Sequence, residues 1–179
     1  MATFDEFLSS LDPETKGKQF EHFVKWFLQN DPQWKTQVDQ VWLFDEYPKK
    51  WNREKGVDLF FKHKNGQIWA VQAKCYSPDY YITKHDVDKF LSESSRSGID
   101  KRLLIASTDL IGPNAKEVCE NQEKEVTYFL YSDFVHAQVE YTEDITKLHL
   151  AKRKSPPPPR DYQKEAIDAV EEGFKENDR

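Results

Sequence analysis

Three polar residues stand where a strand-forming sequence would otherwise run apolar. Asp58 opens the segment Asp58-Leu59-Phe60-Phe61, and Gln72 and Lys74 follow the run Ile68-Trp69-Ala70-Val71. Side chains alternate faces along a strand, so Gln72 and Lys74 point one way and Ala73 the other. Between the two segments lies Asn65-Gly66, a strong short hairpin signal, and that hairpin lays Asp58 beside the other two. Polar residues at a strand end can simply meet water, which is the structural alternative for all three. Their types also suit a particular chemistry. Hydrolysis of a phosphodiester calls for oxygen ligands to Mg2+, a water held in line with phosphorus, and a cation that lowers the water's pKa or stabilises developing charge. Asp58 can bind the metal, the Gln72 side-chain carbonyl and the Ala73 backbone carbonyl can add oxygens, and Lys74 can orient or activate the water. Glu21 can serve as a further acidic ligand, directly or through water; as a helix-surface carboxylate it would instead pair with Lys25 one turn on.

Positioning these groups falls to the elements around them. Phe20, Phe23, Val24, Phe27 and Leu28 recur at helical spacing and predict a helix from about Gly17 to Gln29, with Glu21 beside its buried stripe. Asp31-Pro32 ends it, and Val38 to Phe44 reads as a strand. Two antiparallel strands follow, from Gly56 and from Gln67, joined at Lys64-Asn65-Gly66. A helix from about Lys84 to Ser94 buries Val87, Phe90 and Leu91. After it come a buried strand from Arg102, a helix from about Pro113 to Gln122, and a last strand from Val126. The order implies an α/β fold: a mixed central sheet, antiparallel meander plus crossover, flanked by helices. Lys152 to Lys154 and the four prolines Pro156 to Pro159 read as a basic, proline-rich linker over 151–160. Beyond it Ala166, Ile167, Val170 and Phe174 predict an amphipathic helix that needs no partner from the preceding domain. The expected organisation is one domain over 1–150, the linker, and the start of something larger over 161–179.

At 37% hydrophobic and 32% charged residues, the 179-residue chain is too rich in apolar groups to be disordered and too polar for a membrane protein. No apolar run approaches the ~20 residues of a membrane span, and the opening residues lack the basic and apolar regions of a signal peptide, so the cytoplasm is the expected compartment. Cys75 and Cys119 form neither a CxxC unit nor a disulfide framework. His22, His63, His85, His136 and His149 show no zinc spacing, and no GxxxxGK[ST] loop is present to make this stretch an ATPase. The net charge of −6 is unevenly spread. Residues 47–102 carry 12 basic against 7 acidic side chains, whereas 1–46 carry 4 against 9 and 103–179 carry 10 against 16. A phosphate backbone is tolerated best along that middle segment, although a mixed solvated surface has the same signature. Trp51, Arg53, Lys55, Tyr76, Tyr80 and Tyr81 give it an aromatic and basic character suited to strand contact. Lys84, His85 and Asp86 either touch DNA or cap and solvate the helix they open.

Taken as an ordered set, Gly17-Lys18-Gln19-Phe20-Glu21, Gly56-Val57-Asp58 and Gln72-Ala73-Lys74 resemble the PD-(D/E)xK nucleases, within them the Mrr-like branch, where glutamine replaces the usual acid. Val41 to Pro48 and Ile82-x-Lys84-x-Asp86-Val87-Asp88-x-Phe90-Leu91 extend the likeness to the N-terminal nuclease domain of type ISP restriction-modification enzymes and related nuclease-helicase fusions. The resemblance implies a restriction-endonuclease-like fold and a Mg2+-dependent endonuclease, with Mn2+ able to substitute, that cuts double-stranded DNA by direct water attack. Carried over onto this sequence, it makes Glu21, Asp58, Gln72 and Lys74 the active-site residues. It also implies a helicase motor, and a possible methyltransferase domain, later in the same chain. Arg160-Asp161-Tyr162-Gln163-Lys164-Glu165-Ala166-Ile167 looks like the motif that opens such a motor, where Gln163 would read the adenine of ATP, a cofactor of the longer protein alone. Gln72 removes one negative charge from the usual pattern. With the acidic overall charge, this motivates the alternative of a non-cleaving DNA-docking module coupled to the motor.

Overall fold

The aromatic stripe predicted for the first long helix is entirely buried, and it sets one face of the molecule. In a computed structural model that describes residues 2–53, 56–151 and 160–176, this helix, α2, spans Lys16–Asn30, and Phe20, Phe23, Val24, Phe27 and Leu28 are each 0% exposed. At roughly 1.5–3 kcal/mol per fully buried large side chain, the stripe alone anchors α2 to the sheet. Ahead of it runs a short helix, α1 (Phe4–Ser9), whose N-terminus is closed by a capping box between Thr3 and Glu6. Asp31-Pro32 does end α2, but it also starts another helix. The Asp31 carboxylate accepts from the Gln33 and Trp34 amides and opens α3 (Pro32–Lys35).

Five strands form one sheet in sequence order: β1 (Val38–Leu43), β2 (Leu59–His63), β3 (Ile68–Lys74), β4 (Lys101–Ala106) and β5 (Val126–Phe129). The first three are antiparallel neighbours, while β4 and β5 continue parallel to β3. This is the expected meander and crossover. The crossovers are α4 (Lys84–Glu93) and α5 (Pro113–Glu120), both on the face opposite α2. Period-two alternation divides β3 between the two cores. Val71 and Ala73 pack with the α2 stripe, and Ala70 packs with Phe60, Val87, Phe90 and Leu104 on the α4 side.

A sixth helix, α6 (Tyr131–His136), and a 3-10 segment over Ile145–Leu150 return to the α2 face. There Phe134 stacks on Phe4 with ring centroids 4.5 Å apart and meets Phe27 edge-on at 4.9 Å. The last helix, α7 (Asp161–Glu176), forms where the periodicity predicts, with Tyr162, Ile167 and Val170 exposed. Residues 152–159, which carry the predicted linker, lie outside the described residues, as does Lys55. No described helix is long and apolar enough to cross a membrane.

Candidate active site

Asp58 is fixed by its own backbone before its side chain does anything. Its amide donates to the Val71 carbonyl at 2.9 Å, and its carbonyl accepts from the Phe44 amide at 2.9 Å, so it is held between the exit of β1 and the middle of β3. The sequence reading starts a strand at Gly56; the structure starts β2 at Leu59. Gly56 has φ +77°, and a Cβ there would sit 2.8 Å from the Lys89 carbonyl carbon and the Phe90 nitrogen of α4. Only glycine takes that conformation at so close an approach, and it turns the chain so that Asp58 enters the sheet edge-on. The β2–β3 ladder ends at Leu59–Val71, and Val57 turns in with Phe60 on the α4 face, so Asp58 lies just past the end of β2 beside Gln72 and Ala73.

The carboxylate lies along the β3 backbone, with Oδ2 accepting from the Ala73 amide at 2.8 Å. Because a strand residue's N–H and C=O point to the same side, the Ala73 carbonyl is aimed past the end of β2 towards Asp58. Gln72 is 2% exposed, inside the strand and not at its end, and its Oε1 is buried with no hydrogen-bond partner among the described residues. Buried side-chain oxygens nearly always have a partner, and this one's lone pairs suit a donor or a cation. Lys74, on the same face, is half-buried, and its ammonium makes no ion pair among the described residues. The structure thus brings Asp58, Gln72, the Ala73 backbone and Lys74 to one strand end. Glu21 belongs to α2 on the other face. Its side chain is 13% exposed and takes Lys18 at 3.0 Å, whereas Lys25, the expected partner, reaches Glu46 at 2.6 Å. Gln163 stands apart on α7, where its Oε1 accepts from the Arg160 amide at 2.9 Å. Among the described residues no three His, Cys, Asp or Glu side chains gather as a metal site, so a cation here would rest on one carboxylate and neutral carbonyl oxygens.

Beyond Lys74 the chain is clamped by residues that sequence reasoning passed over. Ser107, 0% exposed, donates through its hydroxyl to the Tyr76 carbonyl at 2.6 Å and accepts from the Tyr76 amide at 2.7 Å, while its own amide donates to the Lys74 carbonyl at 3.0 Å. Thr108 donates to the carbonyls of Pro78 or Tyr80. The only sequence signal was a polar pair closing the apolar run Leu103 to Ala106. Tyr76 and Tyr80, with ring centroids 4.3 Å apart, both donate to Asp86 at 3.0 and 2.9 Å, and Asp86 also receives the amide and hydroxyl of Thr83. Asp86 is therefore a cap, the structural alternative given for it above. Burial raises its carboxyl pKa, but the bonds from Thr83, Tyr80 and Tyr76 outweigh this and leave it below the ordinary carboxylate value. Burial pushes the Tyr76 phenol well above its usual range. The hydrogen bond to Asp86 adds to that shift, as do the charges of Asp86 and, more weakly, of Asp58.

Comparison with known proteins bears on this site. A family model described as restriction endonuclease, Mrr_cat_2, matches residues 29–149. Among solved structures, the ATP-dependent type ISP restriction-modification enzyme LlaBIII bound to DNA matches the whole chain with a TM-score of 0.75 and 28% identity. The chain spans 11% of that enzyme's length. The DNA modification-dependent restriction endonuclease AspBHI matches 84% of the chain at 12% identity and a TM-score of 0.48, over 39% of its own length. The MspJI restriction endonuclease in complex with a 27-mer oligonucleotide matches 72% at 14% identity and 0.42, over 29% of its length. No curated protein matches.

Proposed function

Because the chain belongs to the Mrr_cat_2 restriction endonuclease family, we propose that it hydrolyses phosphodiester bonds of double-stranded DNA with the help of Mg2+, which Mn2+ can replace. We propose further that 1–150 is the nuclease domain of a longer ATP-driven restriction enzyme or nuclease-helicase, with a motor beginning near 161–179, where Gln163 reads adenine. One observation carries the catalytic reading: the buried Oε1 of Gln72, without a partner among the described residues, on the face of Lys74 and beside the Asp58 carboxylate that bonds the Ala73 amide. A hard cation suits that oxygen, and the residues present fit one. Asp58, Gln72 and the Ala73 carbonyl would hold it, with Glu21 contributing from α2 directly or through water. Bound there, a divalent ion supplies Lewis acidity, lowering the pKa of water and offsetting charge on the phosphate.

The protein's own groups do the rest. Lys74 has no ion-pair partner among the described residues, so its N–H donors are available to orient the attacking water and to meet negative charge that grows on the phosphate oxygens. The Asp58–Ala73 hydrogen bond fixes the carboxylate against the strand that carries Lys74, so the two charges keep a constant spacing. Ser107 holds the chain on either side of Cys75 and keeps Lys74 from swinging out with the loop that follows.

Nicking of supercoiled plasmid in Mg2+, Mn2+ or EDTA, with Asp58→Ala and Lys74→Ala alongside, tests this. Metal-dependent nicking should disappear in both variants while Lys74→Ala keeps its fold and its DNA affinity; nicking unchanged in either variant removes that residue from the mechanism. A second reading has Gln72 in its favour, since an amide brings no charge to the metal. A module that docks DNA without cutting would bind the plasmid and leave it intact in every lane.

A further inference from the structure

A basic surface lies beside the site on the α4 face. The chain that leads to Asp58 crosses it, passing Lys49, Trp51 and Arg53 before Gly56 presses on α4 at Lys89 and Phe90. The Arg96 guanidinium lies over the Trp51 ring, 4.3 Å from its centroid, and is steadied by Glu93 at 2.8 Å. A cavity of about 350 Å³ opens between Trp51, Asn52, Arg53, Glu93 and Arg96. A second, of about 420 Å³, shares Trp51 and Arg96 and reaches Lys49. Among the described residues Glu93 is the one acid lining them, against the three cations Lys49, Arg53 and Arg96. Lys49, Arg53 and Lys89 are exposed, and none makes a salt bridge among the described residues. The Trp51 Nε1–H is buried without an acceptor among the described residues, as are those of Trp34 and Trp69.

Arg96 is paired with Glu93 and held flat on the Trp51 ring, while Lys49, Arg53 and Lys89 have no acidic partner among the described residues. Lys89 lies on the last turns of α4 and Arg96 in the bend just beyond its end, so the two charges extend along one side of the helix terminus. We infer that this surface, outside the active site, docks the sugar-phosphate backbone of duplex DNA, with Arg53, Lys89 and Arg96 each meeting phosphate oxygens and Trp51 holding the Arg96 plane. The inference rests on the reading of DNA as the substrate and says where the duplex lies as it approaches Asp58. The approach is from the α4 side, along the segment richest in positive charge.

The test is binding of a fluorescent duplex of about 20 base pairs to the 179-residue chain in EDTA, across a series of salt concentrations. Each phosphate contact contributes roughly 0.9 to the slope of log K against log salt. Arg53→Gln, Lys89→Gln and Arg96→Gln combined should lower that slope by about 2 to 3 and weaken binding at low salt by at least tenfold. Arg96 also packs on Trp51, so the double variant Arg53→Gln, Lys89→Gln changes exposed side chains alone and should lower the slope by about 2. A slope equal to that of the wild type in both variants, while the wild type still nicks plasmid, overturns the docking surface and leaves the nuclease intact. A wild type that neither binds the duplex nor nicks plasmid overturns both.

Discussion

Gln72 is the residue on which the chemistry turns, because it is an amide where burial makes charge most expensive. A carboxylate at a position 2% exposed is destabilising until a cation compensates it, whereas an amide is tolerated in both states. Gln72→Glu should therefore lower the melting temperature in EDTA and enlarge the shift that Mg2+ produces, while Asp58→Ala should abolish the shift; ligand at a hundred times its Kd is worth about 2.7 kcal/mol. Differential scanning fluorimetry across a metal series reads both. A shift that survives in Asp58→Ala would remove the metal from this strand end. Asp86 gives a second handle at the same scale. Its folded pKa lies below the unfolded value, so its contribution is complete at neutral pH and is lost as pH falls through the folded pKa. Wild type should thus lose more stability than Asp86→Asn between about pH 5 and 3, as measured by urea unfolding at each pH. Equal losses would mean that the Thr83 and tyrosine bonds do not favour the ionised form.

Among the elements, the turn at Gly56 and helix α4 act as one part. Gly56→Ala puts a methyl group 2.8 Å from backbone atoms of α4 and demands a left-handed conformation of an L residue, a strain of roughly 1–3 kcal/mol before any clash is counted. Asp58, two residues on, would lose its place against Ala73, so this variant should lose nicking although every proposed catalytic side chain is retained. Full nicking activity in Gly56→Ala would show that α4 does not set the position of Asp58. The sheet, α2, α4 and α5 were legible in the sequence because each carries a hydrophobic period long enough to count. The alignment of Asp58 with Gln72 was legible because Asn65-Gly66 fixes a register. Helices α1, α3 and α6 were not, since four to six residues complete less than two turns and their caps resemble turn residues. The Ser107 clamp and the Tyr76–Asp86 bond join residues 31 and 10 positions apart, and composition says nothing about such pairs. Nor could spacing reveal that Gln72 would be buried without a partner, since that follows from β4 and the helices packed around it.

For the molecule as a whole, the two cores close without the last helix. The apolar side chains of α7 that the structure describes, Tyr162, Ile167 and Val170, are at least 50% exposed, and none belongs to either buried cluster. Ending the chain after Ala151 should leave the melting temperature within about 2 °C, because a change of that size in a domain of this length corresponds to less than about 1 kcal/mol. A larger fall would show that α7 packs on the domain. The other end of the chain is used very differently. Ala2 bridges Tyr141 by a backbone hydrogen bond at 3.3 Å, the Tyr131 hydroxyl donates to Asp5, and Phe4 and Phe7 are buried among rings contributed by Phe134 and Tyr141. Within this domain α1 is thus made long before the residues it packs on. At about 5–20 residues per second, Phe4 and Phe7 wait roughly 7 to 27 seconds before residue 141 is synthesised. During that interval the nascent chain presents an aromatic face to whatever chaperone stands at the tunnel exit, and the nuclease fold cannot be sealed until the ribosome has passed its final turn.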